Sequence, residues 1–295
     1  MNREASDSGE GGLGRVARAL QFIRFSHTVF AMPFALGSML VAAHGWPSWR
    51  TLLFIILAMV CARTAAMCFN RVVDWEIDQR NPRTKERHTL MSRLGAIVLL
   101  AISAAAFIAA SWQINRLCLM LSPLALAIVF FYSLTKRFTS FSHFFLGLAL
   151  SVSPVGAWLA VRGRFELPPL ILALAVLLWV AGFDMIYATL DEAFDRSAGL
   201  HSWAVAHGIE GAQRWAMRLH AATVAVLAWF GVATAAGTAY WIGLLLIAGA
   251  LVYEHRVAAR RDVGAVNQAF FQVNAVVGLV FVGSILADQV LLAGR

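Results

Sequence analysis

Charge is scarce in this 295-residue chain: 14% of its residues are Asp, Glu, Lys or Arg, where a soluble globular protein carries roughly a quarter. With 60% hydrophobic residues and a mean hydropathy of +0.71, that scarcity excludes an ordinary soluble domain and points to an integral membrane protein. Cysteine is scarce too. Cys61, Cys68 and Cys118 lie inside apolar runs with no CxxC or Cys/His spacing, which excludes a disulfide framework and a zinc site. The first twenty residues, MNREASDSGEGGLGRVARAL, have no apolar stretch followed by a small-residue cleavage site, so no cleaved signal peptide is expected. No ten-residue segments of alternating hydrophobicity occur, which sets aside a membrane barrel. The net charge of +8 could suggest nucleic acid, but the basic residues sit in short gaps between apolar segments and form no basic face or recognised binding module. No nucleic-acid partner is expected.

What the chain has is apolar runs. Crossing about 30 Å of hydrocarbon takes about 20 residues of helix, and nine such spans fit, near 28–45, 51–69, 93–111, 117–134, 141–161, 169–187, 213–235, 239–255 and 269–291. Backbone polar groups in lipid must be satisfied within the segment, so the spans are helical. The fold class is an all-α integral membrane protein. Residues 1–22 form a flexible tail, and 23–295 a single transmembrane domain, with the lipid bilayer as its first partner. Lys and Arg concentrate in cytoplasmic loops. With the N-terminus inside, the tail and alternate loops collect most of them, against Arg50, Arg116, Arg162, Arg164 and Arg295 on the other side. The expected location is the bacterial inner membrane, multi-pass, with the N-terminus cytoplasmic.

Two stretches stand out against this background. Asn70 to Arg87, NRVVDWEIDQRNPRTKER, comes off the end of the second span, and LDEAFDRSAGLHS follows the sixth. Asn70, Asp74 and Asp78 are four apart, as are Asp191 and Asp195, with Tyr187 four residues earlier. On a helix, residues four apart share a face with a drift of about 40°. Each stretch is thus a short ladder of oxygen ligands. Stacked carboxylates repel, and a hard divalent cation is the usual compensation; Mg²⁺ fits because it binds one or two carboxylates together with substrate phosphates. Acids at helical spacing are often only a solvated helix end. Doubled at a membrane edge, they are better read as a functional site. The candidate metal ligands are Asp74, Asp78, Asp191 and Asp195, and both ladders fall on the cytoplasmic side.

Basic residues complete the pattern. Lys136 and Arg137 follow the fourth span, and Arg80, Arg83, Lys85 and Arg87 follow the first ladder; a diphosphate bridged by Mg²⁺ needs such donors. Arg63 lies two helical turns deeper than Asn70 on nearly the same face. Inside the bundle it needs a carboxylate, either a substrate's or that of Asp184. Arg24 and His27 mark the mouth of the first span, lining a cavity or anchoring at the interface. His88, His201 and His207 show no ligand spacing.

These residues resemble the intramembrane aromatic prenyltransferases, the group of 4-hydroxybenzoate polyprenyltransferase. That family carries NDxxDxxxD after its second helix and YxxxDxxxD after its sixth; this chain has NRVVDWEID and YATLDEAFD there, with ARTAAMCFN, NPRT and WVAGFDMIY flanking them. The resemblance implies a nine-helix bundle around a central cavity open to lipid, capped by the two motifs. It implies transfer of a polyprenyl group from polyprenyl diphosphate to an aromatic acid acceptor with Mg²⁺ as cofactor, in quinone biosynthesis. By motif, Asn70, Asp74, Asp78, Asp191 and Asp195 correspond to the Mg²⁺ and diphosphate ligands. Lys136 corresponds to the diphosphate-binding Lys, Tyr187 lies beside the diphosphate, and Arg63 faces the acceptor. Asp74, Asp191 and Arg63 are then the catalytic residues, with Arg71, Arg83 and Arg137 as further anion ligands.

The chain departs from the pattern in places. Position 71 is Arg where the family commonly has Asp, so Arg71 either pairs with a neighbouring acid or binds phosphate. KERHTLMSRLG lacks the usual RxLPxG, and Leu190 replaces a common Gln. The NR form with FSHTVFAMPFA resembles a bacterial branch associated both with 4-hydroxybenzoate and with a dihydroxynaphthoate acceptor in futalosine-route menaquinone synthesis. A rival class is the secondary transporter, whose signs are broken helices and acids at the bilayer midplane; here the acids cluster at one surface beside phosphate-type donors.

Overall fold

In the computed structural model, residues 18–22, 31–81, 84, 89–260 and 263–293 are described, and there is no strand among them. The long helices are α1 (Met32–Ala43), α2 (Trp49–Val73), α4 (Arg93–Ile114), α5 (Arg116–Thr135), α6 (Ser142–Arg162), α7 (Leu167–Ala188), α9 (Trp203–Ala233), α10 (Thr238–Ala258) and α11 (Val263–Ala293). Two short helices intervene, α3 (Trp75–Arg80) and α8 (Glu192–Ser197). Among the described residues eight helices are long and apolar enough to cross a membrane. The remaining expected span, the first, is represented by α1, 12 residues long; residues 28–30 of that span lie outside the described ones. Residues 1–17 of the expected tail also lie outside them; residues 18–22 are helical, and Phe22 is buried with Met67, Cys68 and Ala96.

Local chemistry sets the helix ends. Ser48, Ser92, Asn115 and Ser202 each accept a hydrogen bond from the backbone N–H three residues on, satisfying a donor that the first helical turn leaves open. Gly163 ends α6 at φ 66°, a left-handed conformation that glycine adopts without strain. The expected seventh span, from 213, begins ten residues early as α9; its first turn is set off by Gly208 at φ 73°, ψ 167°, a break that apolar periodicity does not record.

Two prolines sit inside spans, and each removes one backbone donor. Pro123 in α5 deprives Leu119 O of its partner, and Ser122 Oγ donates to that carbonyl at 2.8 Å. Pro154 in α6 does the same to Leu150 O, which Ser153 Oγ satisfies at 2.8 Å. Each Ser-Pro pair thus repairs its own defect, as burial in lipid requires.

Before Asp184, helix α7 is apolar on all sides and correspondingly central: Leu172, Val176, Trp179 and Val180 are fully buried. A Cβ at Gly147 would meet Leu177 O of α7 at 2.4 Å, and one at Gly182 would meet the His220 ring at 2.4 Å. Glycine at these two points lets α6 and α9 close on α7. Packing neighbours run α2, α4, α5, α6, α7, α9, α10, α11 and α1, with α1 returning onto α6. The two acidic stretches are thereby carried to one end of the bundle.

Candidate active site

The acidic ladders are not continuous helices. Asp74 sits between α2 and α3 at φ −91°, ψ 16°, and Asp191 between α7 and α8 at φ −106°, ψ 3°. In the first ladder the four-residue backbone bonds persist across the junction, Asp74 N to Asn70 O at 2.9 Å and Asp78 N to Asp74 O at 2.7 Å, so the spacing read from sequence holds. In the second, the N–H groups of Thr189, Leu190 and Asp191 bond three residues back, to Ile186, Tyr187 and Ala188. That tighter turn corrects the expectation that Tyr187 lies one α-helical turn before Asp191 on a common face; the Asp191 to Asp195 step is helical at 2.8 Å.

Both ladders meet at one cavity of about 260 Å³. Its lining includes Asn70, Arg71, Asp74 and Asp78 from the first stretch, Tyr187, Asp191 and Asp195 from the second, and Lys136, Arg63 and Asp184. Arg137 reaches the site from its rim, donating to Asp74 Oδ1 at 3.0 Å and Val73 O at 2.8 Å. Arg83 lies outside the described residues, as do Arg24, His27, Lys85 and Arg87.

Electrostatics make the convergence explicit. Burial works against the Lys136 ammonium, but the charges of Asp195, Asp184, Asp191 and Asp74 outweigh it and hold its pKa above the ordinary lysine value. One ammonium therefore faces carboxylates from both stretches. Burial pushes the Asp74 carboxyl above its ordinary value, Arg137 pulls it down, and Asp78 adds to the rise. The Asn70 amide donates to Asp74 Oδ2 at 3.1 Å.

Arg71, the departure from the family pattern, is 5% exposed and donates to Asp78 Oδ2 at 3.1 Å. The pairing with a neighbouring acid read from sequence is present, across seven residues and a helix junction. The first ladder thus carries cations of its own. Among the described residues no three His, Cys, Asp or Glu side chains converge into a ready-made metal cluster. The oxygen-only donor set, split between two walls of one cavity, suits Mg²⁺ nonetheless, since that ion takes one or two carboxylates and completes its shell with phosphate and water.

A second cavity of about 470 Å³ adjoins the first, sharing Arg63, Tyr132 and Leu150 with it. Its walls are the apolar faces of α2, α4, α5 and α6, including Ile55, Phe107, Leu126 and Ala149. Leu124, Leu148, Phe165 and Leu170 line it and are also exposed, so it opens through the side of the bundle.

Residues 31–276 match the UbiA prenyltransferase family. The chain belongs to that family. As a prenyltransferase it is 31% identical over 258 residues to a 4-hydroxybenzoate octaprenyltransferase of Vibrio cholerae serotype O1, covering 85% of this chain and 89% of the relative. It is 30% identical over 252 residues to one from Methylobacillus flagellatus, covering 84% of each. A UbiA homolog from Aeropyrum pernix K1, solved in its apo form, superposes with a TM-score of 0.81 at 32% identity over 89% of this chain and 98% of that one. A homolog from Archaeoglobus fulgidus bound to GPP and Mg²⁺ gives 0.72 at 19% identity over 92% and 99%; it shares the fold. The all-helical membrane architecture expected from the sequence is thus the family's.

Sequence spacing does not reveal every buried neighbour of the site. His143, in the first turn of α6, is fully buried, with Nδ1 2.6 Å from Asp184 Oδ2 and Nε2 accepting the Trp203 N–H at 3.1 Å. It has no motif spacing. The available signal was a histidine at the start of an apolar span, costly there unless bonded.

Proposed function

We propose that this prenyltransferase transfers a polyprenyl group from polyprenyl diphosphate to 4-hydroxybenzoate, with Mg²⁺, in quinone biosynthesis. The observation that carries the reading is the adjacency of the two cavities: an acid- and lysine-lined chamber shares Arg63 and Tyr132 as walls with an apolar one. A diphosphate joined to a polyprenyl chain has those two characters in that order. The relatives' names support the acceptor, and the Archaeoglobus fulgidus homolog bound to GPP and Mg²⁺ supports the donor class and the cation. The transmembrane domain lies in the bacterial inner membrane, with the N-terminus and the site on the cytoplasmic side, where soluble aromatic acids are met.

Asp74, Asp78, Asp191 and Asp195 would hold Mg²⁺, of which Asp78 already shares its charge with Arg71. Bound there, the ion neutralises charge on the departing diphosphate. Lys136 donates to the diphosphate oxygens, and Asn70, Arg71, Arg137 and Tyr187 position them. These fixed charges favour ionisation of the allylic C–O bond because they are already arranged where negative charge develops. The apolar chamber holds the chain and keeps water from the allyl cation, and Arg63 orients the acceptor's carboxylate.

Purified protein given a polyprenyl diphosphate, Mg²⁺, and 4-hydroxybenzoate in competition with a dihydroxynaphthoate tests this directly by product mass spectrometry. Prenylated hydroxybenzoate with released diphosphate is expected. An exclusively naphthoate product would move the enzyme to the menaquinone branch, and absence of diphosphate release would favour a transporter.

A further inference from the structure

His143 and Asp184 form a unit with its hydrogens in fixed places. The Trp203 backbone N–H can only donate, so His143 Nε2 accepts and carries no proton. The neutral ring's hydrogen is therefore on Nδ1, donated to Asp184 Oδ2 at 2.6 Å. Trp203 is itself held where α9 begins: its ring lies 5.3 Å from Phe141 and 6.3 Å from Phe144. The imidazole is thus clamped at both nitrogens between α6, α7 and α9, and its one mobile hydrogen is committed to Asp184.

Asp184 lies apart from the metal-ligand ladders. It is three residues before Tyr187 on α7, about 4.5 Å deeper along the helix axis, whereas Asp191 and Asp195 lie beyond the helix end. Arg63 is likewise two turns deeper than Asn70 on α2, and both residues line the polar cavity, Arg63 at its junction with the apolar one. A diphosphate held by the ladders places its allylic carbon on this deeper side, and the ring that attacks it must lie there too.

We propose that Asp184, aimed by His143 as a positioning residue, takes the ring proton that completes prenyl transfer; this rests on the proposed function. The allylic C–O bond breaks with its electron pair leaving on diphosphate, and a ring π pair forms the new C–C bond. The C–H pair then returns to the ring as the proton passes to a carboxylate oxygen of Asp184. Lys136 and Arg63 line the same cavity as Asp184, and the Nδ1–H of His143 is donated to its carboxylate. A weak base suffices, because a ring bearing both the new bond and its old hydrogen is a strong acid. His143 cannot carry the proton onward, since Nδ1 already bears one and Nε2 is occupied, so the proton stays on Asp184 until product leaves.

The test uses full-length protein, Mg²⁺, a polyprenyl diphosphate, and whichever of the two acceptors the wild type prenylates, protiated or deuterated at the ring. In the wild type, proton loss follows the slow ionisation and no primary isotope effect is expected. Asp184→Asn should lower kcat by about a hundredfold or more, the scale of a lost general base, and reveal a primary isotope effect. Binding of a polyprenyl thiolodiphosphate should be unchanged. His143→Gln should lower kcat less and show the same effect in part. Near wild-type kcat in Asp184→Asn, a slow variant without an isotope effect, or loss of thiolodiphosphate binding would each overturn the assignment. If the wild type prenylates neither acceptor, the proposed function itself fails, a result read before any variant is made.

Discussion

The two adjoining cavities differ in physics, and the proposed function divides one substrate between them. In the chamber of about 260 Å³, recognition is by charge: Lys136 faces four carboxylates, and Arg71 and Arg137 each bond one aspartate. In the adjoining 470 Å³ the walls are mostly aliphatic and aromatic, and Ser122 and Ser153 there bond carbonyls freed by proline. Charge recognition depends on a few irreplaceable groups, whereas apolar recognition depends on volume, so the two should fail differently. Damage to the first should affect every donor equally. Damage to the second should depend on chain length.

Lys136→Met is the strongest break. It leaves carboxylates of both ladders facing one another without their common ammonium; removing one partner from a fully buried charge set costs about 3–5 kcal/mol, and this partly buried one somewhat less. Diphosphate release should fall by about a hundredfold or more, to the same extent for dimethylallyl and polyprenyl diphosphate. A loss confined to the long donor would take Lys136 out of the head-group site.

Asp74→Ala and Asp191→Ala should each lower turnover at least about tenfold with saturating Mg²⁺, since a decade is only about 1.4 kcal/mol of transition-state binding. Asp74 also yields a test of stability. Its folded pKa is raised, mainly by burial, so its contribution is fully present below the unfolded pKa and is lost as pH rises through the folded one. An uncharged Asn escapes that loss. In Mg²⁺-free buffer at neutral pH, Asp74→Asn should therefore melt above the wild type while remaining inactive; a lower melting temperature would show that the carboxylate is already compensated.

The apolar chamber is tested by filling it. Gly156 lines it, and a Cβ there would meet nothing within 4 Å. Gly156→Phe should raise KM for a polyprenyl donor roughly tenfold, the scale of a modest steric clash, and leave dimethylallyl diphosphate unaffected. Equal effects on both donors would mean that the chain does not run past Gly156.

This contrast was unevenly legible in the sequence. Apolar runs located the spans to within a few residues, the start of the seventh excepted, because burial in lipid demands long uniform segments, and the ladders stood out because charge is rare among them. Four features were hidden. Gly208 breaks α9 where periodicity is uninterrupted, because a positive φ leaves no trace in hydropathy. The turn from Tyr187 to Asp191 tightens to three-residue bonds, which spacing alone renders as an α-helix. The Arg71–Asp78 pair joins residues seven apart across a helix junction, so position 71 was visible as an anomaly but its partner was not. His143 was hidden most completely, since its partners, Asp184 and Trp203, are forty-one and sixty residues away.

Arg137 offers the smallest and most discriminating change. It is 43% exposed where it meets Asp74, and exposed pairs contribute about 0.2–1 kcal/mol, so Arg137→Ala should slow turnover at neutral pH by less than about fivefold. Its effect should grow as pH falls. Arg137 pulls the Asp74 pKa down against the push of burial, and without it that carboxyl takes up its proton at higher pH. If ionised Asp74 is needed to bind the cation that balances diphosphate, the acid limb of the rate profile moves upward in the variant and moves equally for short and long donors. A profile superimposable on the wild type would remove Arg137 from the charge balance of the polar chamber, leaving Lys136 as the cation that joins the two ladders.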